Sequence, residues 1–448
     1  MAMQITELKV VPTEPVDTQF RCIKTSIPAP ESIPEIERLR ATEPQSMTGL
    51  APIIWHRATG FQVEDPYGNR WIDLTSGAAA ANAGHAHPSV IRTINEQIQD
   101  QLLFNYAYPS RIRAQFIDRI VRMAPQELDK AIAFCAGTEA NECTLTLMRR
   151  HGLTISSEKV GILSFDDTFY GRTLGARFAG GSTRTIDAIE RERVFQTQLP
   201  MPGSPQSQGF LADLEQHEVD PAKTAGIIFE SIPSFTTTLY PKEYIDALME
   251  WAKKHSILVA VDEIQVGMGR TGRLFAFEHY GILPDLISMG KGVSSSLPVS
   301  VVKGRSHVMD LAPPGEMSST HGGSPVCMAA ALANIQVIED EQLVIRSATL
   351  GEQLGERLRP IAERHHRKIE PISGYGLWYN IQFKDADRGR PAIELADAIA
   401  MECVRRGVMS FVTGRGYLKI APPLSIDVDA LREAIEVVGM VIDELIDQ

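Results

Sequence analysis

The chain has 448 residues, 44% of them apolar and 22% charged, the balance of a folded globular protein with room for one large domain and a smaller one beside it. With 44 basic and 56 acidic residues the net charge is −12, which excludes nonspecific binding of nucleic acid through a basic face. The cysteines (Cys22, Cys135, Cys143, Cys327, Cys403) are odd in number and form no C-x-x-C pair, so no disulfide framework, zinc site or other metal centre is expected.

Residues 1–45 are polar and dotted with prolines, and are expected to form an irregular arm with one short helix. No apolar run approaches the length of a membrane span, and the opening "MAMQITELKVVPTEPVD" lacks the basic-then-apolar layout of a signal peptide, so a cytoplasmic protein is expected. "GFQVEDPYGNRWIDL" alternates around Pro66-Tyr67-Gly68-Asn69, the pattern of a hairpin. From about 130 to 310, strand-like runs alternate with helical ones, as in a parallel sheet covered by helices. "AGIIFES", "ILVAV" and "DLISM" are its clearest strands, and "KEYIDALMEWAKKH" places Ile245, Leu248, Met249 and Ala252 on one helical face. The tail alternates helices (about 341–366, 391–407 and 428–447) with the strand candidates "LWYNIQF" and "YLKIA". The expected division is an N-terminal arm and small-domain segment over 1–75, a large α/β domain over 76–335 and an α+β domain over 336–448.

Polar residues end three successive apolar strands: Glu230, Asp262 and Lys291. Ligands of open α/β sheets sit beyond the carboxyl ends of the strands. Lys291 is the odd one, a lysine between two glycines at the end of a core strand. A buried ammonium is costly unless it is paired or gives up its proton.

Two phosphate-loop readings fail. "GMGRTG" (267–272) fits G-x-G-x-x-G, but Asp262-Glu263 separate it from its strand and Asp285, near the expected acid offset, begins a strand. A P-loop around "GKG" needs a glycine at 285 and a hydroxyl at 292, where the chain has Asp285 and Gly292. "FCAGTEANE" (134–142) is a better cradle, since a strand end leads through Gly137-Thr138 into a helix whose first amides suit a phosphate. Lysine, carboxylate and cradle together point to pyridoxal 5'-phosphate. The amine meets its aldehyde, and the carboxylate keeps its pyridine nitrogen protonated.

With these residues in view, the chain from about 46 to 448 resembles the class III pyridoxal-phosphate aminotransferases, of fold type I and ω-aminotransferase-like. The match rests on "VDEIQVGMGRTG", "SMGKG", "AGTEANE", "SSTHGGSP", "GHAHP" and "DPYGNRWIDL". The resemblance implies a fold type I architecture, a mostly parallel central sheet flanked by helices with a smaller C-terminal α+β domain. It implies a Lys291 Schiff base with the cofactor, Asp262 on the pyridine nitrogen and Gln265 by the phenolic oxygen. Gly137 and Thr138 would meet the phosphate, as would Thr320 across the interface of a homodimer. Phe169, in "FYGRTLGA", would stack on the ring; Tyr170 stands where the family usually has histidine, and Glu230 completes the cofactor set. Amino-acid racemases and aminomutases on the same fold are the alternative activity; a non-catalytic protein of this fold is disfavoured by the intact Lys291 and Asp262.

The departures fall on substrate recognition. Lys419, in "YLKIAPPL", replaces an arginine that holds a substrate carboxylate in many members. Phe235 stands where a gating glutamate is common, and Ser373 replaces a C-terminal arginine. Arg415 could supply the lost fork, and Lys419 either binds substrate or faces a solvated strand edge. Phe235, Trp55, Tyr106 and Trp378 are candidates for a roomy, partly apolar pocket. Arg172 and Arg270 are read as structural, His85 and His87 as turn residues, and His365-His366 as solvated. The expected partners are a small-molecule amino donor and a 2-oxo acid acceptor.

Overall fold

The computed structural model describes residues 8–180, 196–386 and 389–446; residues 1–7 of the expected arm lie outside these. The chain forms two discontinuous units. One comprises Met1–His87, Gly269–Gly272 and Asp340–Gln448; the other comprises Pro88–Met268 and Arg273–Glu339.

The second unit is built on a seven-stranded sheet. Its spatial order is Lys130–Phe134, Ser300–Gly304, Leu286–Met289, Leu258–Asp262, Thr224–Glu230, Gly161–Phe165 and Gln196–Leu199. The strands are parallel except Ser300–Gly304, which runs against both neighbours. The link from Met289 to Ser300 is too short for the crossover a parallel strand needs, so the chain turns back on itself. Thr224–Glu230, Leu258–Asp262 and Leu286–Met289 are buried along their whole length, as strands covered on both faces are. Helix Gly137–Leu153 lays Ala140, Cys143, Leu147 and Met148 onto one face, in a core shared with Ile228, Ala260, Leu286 and Val302. Each fully buried Ile, Leu or Met contributes about 1.5–3 kcal/mol. Helix Lys242–Lys254 buries Tyr244, Ile245, Leu248 and Ala252, with Met249 only half-buried. Tyr244 takes the place that periodicity gave to Met249. Its hydroxyl donates to Asp213 Oδ2 at 3.2 Å, and its ring packs on Phe165 and Phe210.

The other unit holds two small sheets. In the first, Val16–Asp17, Cys22–Ile23, Arg70–Asp73, Gln62–Glu64 and Arg57–Thr59 lie side by side, and Val408–Met409 pairs parallel with Arg70–Asp73. The expected hairpin is present, its turn closed by Asp65 Oδ1 accepting from the amides of Tyr67 and Asn69, both at 2.9 Å. The two N-terminal strands were not expected, because two-residue strands between prolines carry no alternation. They exist by pairing, Cys22 opposite Arg70. The second sheet orders Ser373–Tyr375, Trp378–Gln382, Tyr417–Ile420 and Phe411–Thr413. Helices Leu343–Arg364, Ile393–Arg405 and Val428–Ile446 fall just inside the expected spans. His365 is not solvated as expected: it is 9% exposed, with Nε2 at 2.6 Å from Asp443 Oδ1, while His366 is exposed. Among the described residues no helix is long and apolar enough to cross a membrane.

Arg270 is fully buried and organises this unit. Its guanidinium donates to the Leu377 carbonyl at 3.2 Å, Ser76 Oγ at 3.3 Å and Asn82 Oδ1 at 2.7 Å, and also to the Pro422 carbonyl. Burial lowers its pKa to about 9 against the pull of Asp73. Arg270→Met leaves these acceptors unpaired in the interior and is expected to destabilise the protein by about 3–5 kcal/mol, read as a lower melting temperature. An unchanged melt would contradict this structural role.

Candidate active site

Of the three polar residues at the strand ends, Glu230 and Asp262 lie side by side, and Lys291 follows two residues beyond the end of its strand. Asp262 is in register with Glu230 on one side and with Ser288 on the other, and in-register neighbours present side chains on the same face. Beyond Met289, Gly290 is extended (φ −169°, ψ −156°) and Lys291 adopts φ 41°. That left-handed conformation costs a non-glycine residue about 1–2 kcal/mol and is kept only where the surroundings enforce it.

Asp262 is 4% exposed. Its Oδ1 accepts from the Ile264 amide at 2.8 Å and its Oδ2 from Asn141 Nδ2 at 2.7 Å. Burial raises its pKa to about 6, opposed by these two bonds and by Lys291. Burial lowers the Lys291 pKa to about 8, opposed by Asp262 and Glu230. The Lys291 amine is therefore largely neutral only above pH 8, and Asp262 is anionic above pH 6. Glu230 Oε2 accepts from the Phe169 amide at 3.1 Å and Oε1 from the Ser234 amide at 3.3 Å, fixing the loop that carries Phe169. The Arg172 guanidinium stands 5.8 Å from the Phe169 ring centroid.

Tyr170, expected among the cofactor contacts, turns its ring into the core. It is 1% exposed and its hydroxyl donates to the Ile228 carbonyl at 3.1 Å. Its link to the site is its own carbonyl, which accepts from Asn141 Nδ2 at 2.7 Å. Sequence reasoning passed over Asn141, although an amide on the buried face of a helix, one turn past Gly137, is a signal in itself. It also passed over Glu263, which is 1% exposed. Glu263 accepts from the amides of Ala276 and Phe277 at 2.9 and 2.8 Å, with a pKa raised by burial to about 7.

At the start of helix Gly137–Leu153, Glu139 Oε2 accepts from the amides of Cys135 and Ala136, both at 2.9 Å. Thr138 Oγ1 lies 2.8 Å from Thr173 Oγ1. A Cβ at Gly171 (φ 143°) would stand 2.2 Å from Thr138 Oγ1, and one at Gly137 would stand 2.7 Å from Ile264 Cδ1. The glycines keep the helix start clear. Gln265 Oε1 is buried without a hydrogen-bond partner among the described residues. An unpaired amide end, a buried carboxylate, an amine of lowered pKa and an open helix start fit a phosphorylated pyridine aldehyde with a phenolic oxygen. Thr320 is exposed on a cavity of about 520 Å³ that it shares with Cys135, Glu139, Thr173 and Ser319.

In the other unit, Lys419 is 2% exposed, so the solvated-edge alternative fails. Its strand is flanked on both sides, with Asn380 and Phe411 in register. Its Nζ lies 4.1 Å from the Trp378 ring centroid and 5.4 Å from that of Phe411, a placement in which aromatic faces stabilise a cation. Trp378 is fully buried and belongs to the core rather than to a pocket. Arg415 is half-buried in the turn after Phe411–Thr413. Trp55 is 43% exposed and packs edge-on against His85 at 5.6 Å. His85 is more than a turn residue, with Nε2 at 2.7 Å from the buried Asp73 Oδ2. In the larger unit, Phe235 is half-buried, while Tyr106 is exposed with its hydroxyl 3.0 Å from Ser318 Oγ.

Residues 45–442 match the model of the class-III aminotransferase family. The chain is a class III aminotransferase. It is 32% identical over 417 residues to ornithine aminotransferase 1 of Staphylococcus aureus (strain Mu50 / ATCC 700699), covering 89% of this chain and 97% of that protein. To the 4-aminobutyrate aminotransferase of Mycobacterium leprae (strain TN) it is 28% identical over 447 residues, covering 95% and 99%. Among solved structures, an ornithine aminotransferase of Toxoplasma gondii, with pyridoxal phosphate partly occupying its active site, superposes with a TM-score of 0.81. Its identity is 25%, with 92% of this chain and 94% of that one covered. This aminotransferase has the expected fold type I architecture and depends on pyridoxal phosphate. It moves amino groups between an amine or amino acid and a 2-oxo acid.

Proposed function

We propose that Lys291 is the amine that carries pyridoxal phosphate in this aminotransferase, and that Asp262 partners its ring nitrogen. The carrying observation is the pair itself, an amine with its pKa lowered to about 8 and a buried carboxylate raised to about 6 on adjoining strand ends. Gln265 would stand by the phenolic oxygen, Phe169 would cover the ring on the loop held by Glu230, and Gly137 and Thr138 would receive the phosphate. Pyridoxal phosphate, when bound, supplies an aldehyde for amines and a ring that draws electrons from the carbon bearing the nitrogen. Lys291 Nζ would take the proton from the substrate carbon that bears the nitrogen and deliver it to the former aldehyde carbon of the cofactor; an amine with a pKa near the working pH can do both.

The protein acts as a homodimer in the cytoplasm, without nucleic-acid or membrane partners, and Thr320 reaches the phosphate of the partner subunit. Support for the dimer is the exposed run Leu102, Leu103, Phe104, Tyr106 and Tyr108, too apolar for a free surface. Phe104 lies 5.0 Å from His321, next to Thr320. The substrate side chains are Phe235, Trp55, Arg415 and Lys419. With Lys419 lying against aromatic rings, Arg415 offers the better fork for a carboxylate. The relatives' names favour ω-amino acids, such as ornithine, 4-aminobutyrate or 5-aminovalerate, as donors. The test is a donor panel of these and of α-amino acids against pyruvate and 2-oxoglutarate, read as new amino acid formed. Turnover of the terminal amines with a keto acid is expected. Optical inversion of an amino acid without any keto acid would overturn the reading in favour of a racemase.

A further inference from the structure

The left-handed turn at Lys291 has a buttress outside the strand that leads into it. Lys291–Val293 forms one short 3-10 turn. The Val293 amide donates to the Gly290 carbonyl at 3.0 Å, and the amides of Ser294 and Ser295 both donate to the Lys291 carbonyl at 3.2 Å. The chain then leaves through Ser295 at φ 56°, so the carbonyls of Gly292 and Val293 gain no acceptor role in a continuing helix. Both residues are buried, and both carbonyls are taken by one side chain. Asn334 Nδ2 donates to the Gly292 carbonyl at 2.8 Å and to the Val293 carbonyl at 2.9 Å.

Asn334 lies on helix Pro325–Asp340, among buried Met328, Ala329, Ala330, Ala331, Ile335, Val337 and Ile338. It is fully buried, and its Oδ1 has no hydrogen-bond partner among the described residues. A buried amide that leaves its oxygen unused is unfavourable in an apolar helix. Its orientation is fixed, because turning it over would set oxygen against two carbonyl oxygens. The side chain is held there for its two donor hydrogens alone, and both go to the residues directly after Lys291.

We infer that Asn334 is the positioning residue for Lys291: it locks the 291–295 turn and so aims the lysine amine at the cofactor aldehyde. This rests on the assignment of Lys291 as the cofactor-bearing amine. Without the two donors, the Gly292 and Val293 carbonyls are buried unpaired. The turn then relaxes toward an arrangement that lets water or other donors reach them, and the enforced φ of Lys291 goes with it. The phosphate loop, Asp262 and Phe169 are untouched, so the defect is in covalent capture and not in the cofactor's noncovalent fit.

Two forms of the cofactor separate these contributions. Pyridoxal phosphate has the aldehyde, with which an amine condenses, releasing one water; pyridoxamine phosphate has none and binds through the remaining contacts. The affinity of the apoenzyme for each is measured in the wild type, Asn334→Leu, Asn334→Asp, Lys291→Ala and Lys303→Met. Lys303 is a matched control, because its Nζ likewise donates to two backbone carbonyls, of Val121 at 3.1 Å and of Met123, at a helix end.

Asn334→Leu is expected to weaken pyridoxal phosphate binding by about tenfold or more while changing pyridoxamine phosphate binding by less than about twofold. Asn334→Asp keeps the shape and so carries the test if the leucine variant does not fold. Its carboxylate faces the two carbonyls, and its deficit relative to wild type is expected to shrink as the pH falls and the protonated acid donates to one of them. Lys303→Met should lower the melting temperature and leave both affinities alone. Equal loss for both cofactor forms in the Asn334 variants, or no loss for either, overturns the inference. Should Lys291→Ala prefer the aldehyde form over the amine form as strongly as wild type does, the assignment of Lys291 itself fails instead.

Discussion

Lys291→Ala is expected to lower turnover by more than about 10⁴-fold, because in the proposed assignment one amine serves both as the cofactor's attachment and as the proton carrier. The purified variant should also lack the visible absorbance that the wild type develops with pyridoxal phosphate. The cofactor-free protein is not expected to suffer. Burial holds the folded-state pKa of Lys291 at about 8, below the ordinary lysine value of 10.5, so the unfolded chain binds the proton more tightly. The lysine thus destabilises the fold below pH 8, and that cost fades as the pH rises from 8 toward 10.5. Apo Lys291→Ala should melt at or above the wild-type temperature at pH 7, with the gap closing at higher pH. A variant that is active and coloured would end the assignment.

Asp262→Asn is expected to cost about 10²–10³-fold in kcat, the order seen when one charge-stabilising group is removed from a preorganised site. Asparagine can neither supply the negative charge for a protonated ring nitrogen nor accept from Asn141 Nδ2 without a reorientation. In the cofactor-free protein Asp262 has a pKa near 6. Capture of pyridoxal phosphate by wild type should therefore weaken as the pH falls through 6, in a way the variant does not share. The stability slope has the opposite sense to that of Lys291. The folded-state pKa lies above the ordinary carboxyl value of 3.8, so the folded state binds the proton more tightly. Wild type then loses stability as the pH rises from about 4 through 6, and Asp262→Asn should lack that slope. Identical pH profiles for cofactor capture in the two proteins would show that Asp262 is not the ring partner.

The strands around the candidate site were legible because each is short, apolar and ended by a polar residue, and their register placed Asp262 beside Glu230 as the pattern required. The small sheet that takes in Val16–Asp17 and Cys22–Ile23 was not legible, since its strands are two residues long and are defined by partners far along the chain. Tyr170 shows the same limit within a motif. Its neighbour Phe169 stays on the loop, while its own ring finds a carbonyl in the core, and no local pattern distinguishes the two directions. Lys419 had two readings on an isolated strand, and only the strands on either side of it exclude solvent.

The sequence by itself carried the family of this aminotransferase and the residues proposed for its chemistry. A lysine between glycines, an aspartate ending the neighbouring strand and a glycine-threonine helix start are local features, and each residue type is demanded by the cofactor atom it would meet. The tertiary structure alone decided which groups hold those residues in place. Asn141 bridges Asp262 and the Tyr170 carbonyl, and Asn334 closes the turn after Lys291. Both amides come from helices remote in sequence from the groups they hold. Buried hydrogen bonds are satisfied wherever packing brings a donor, and packing is a property of the whole fold.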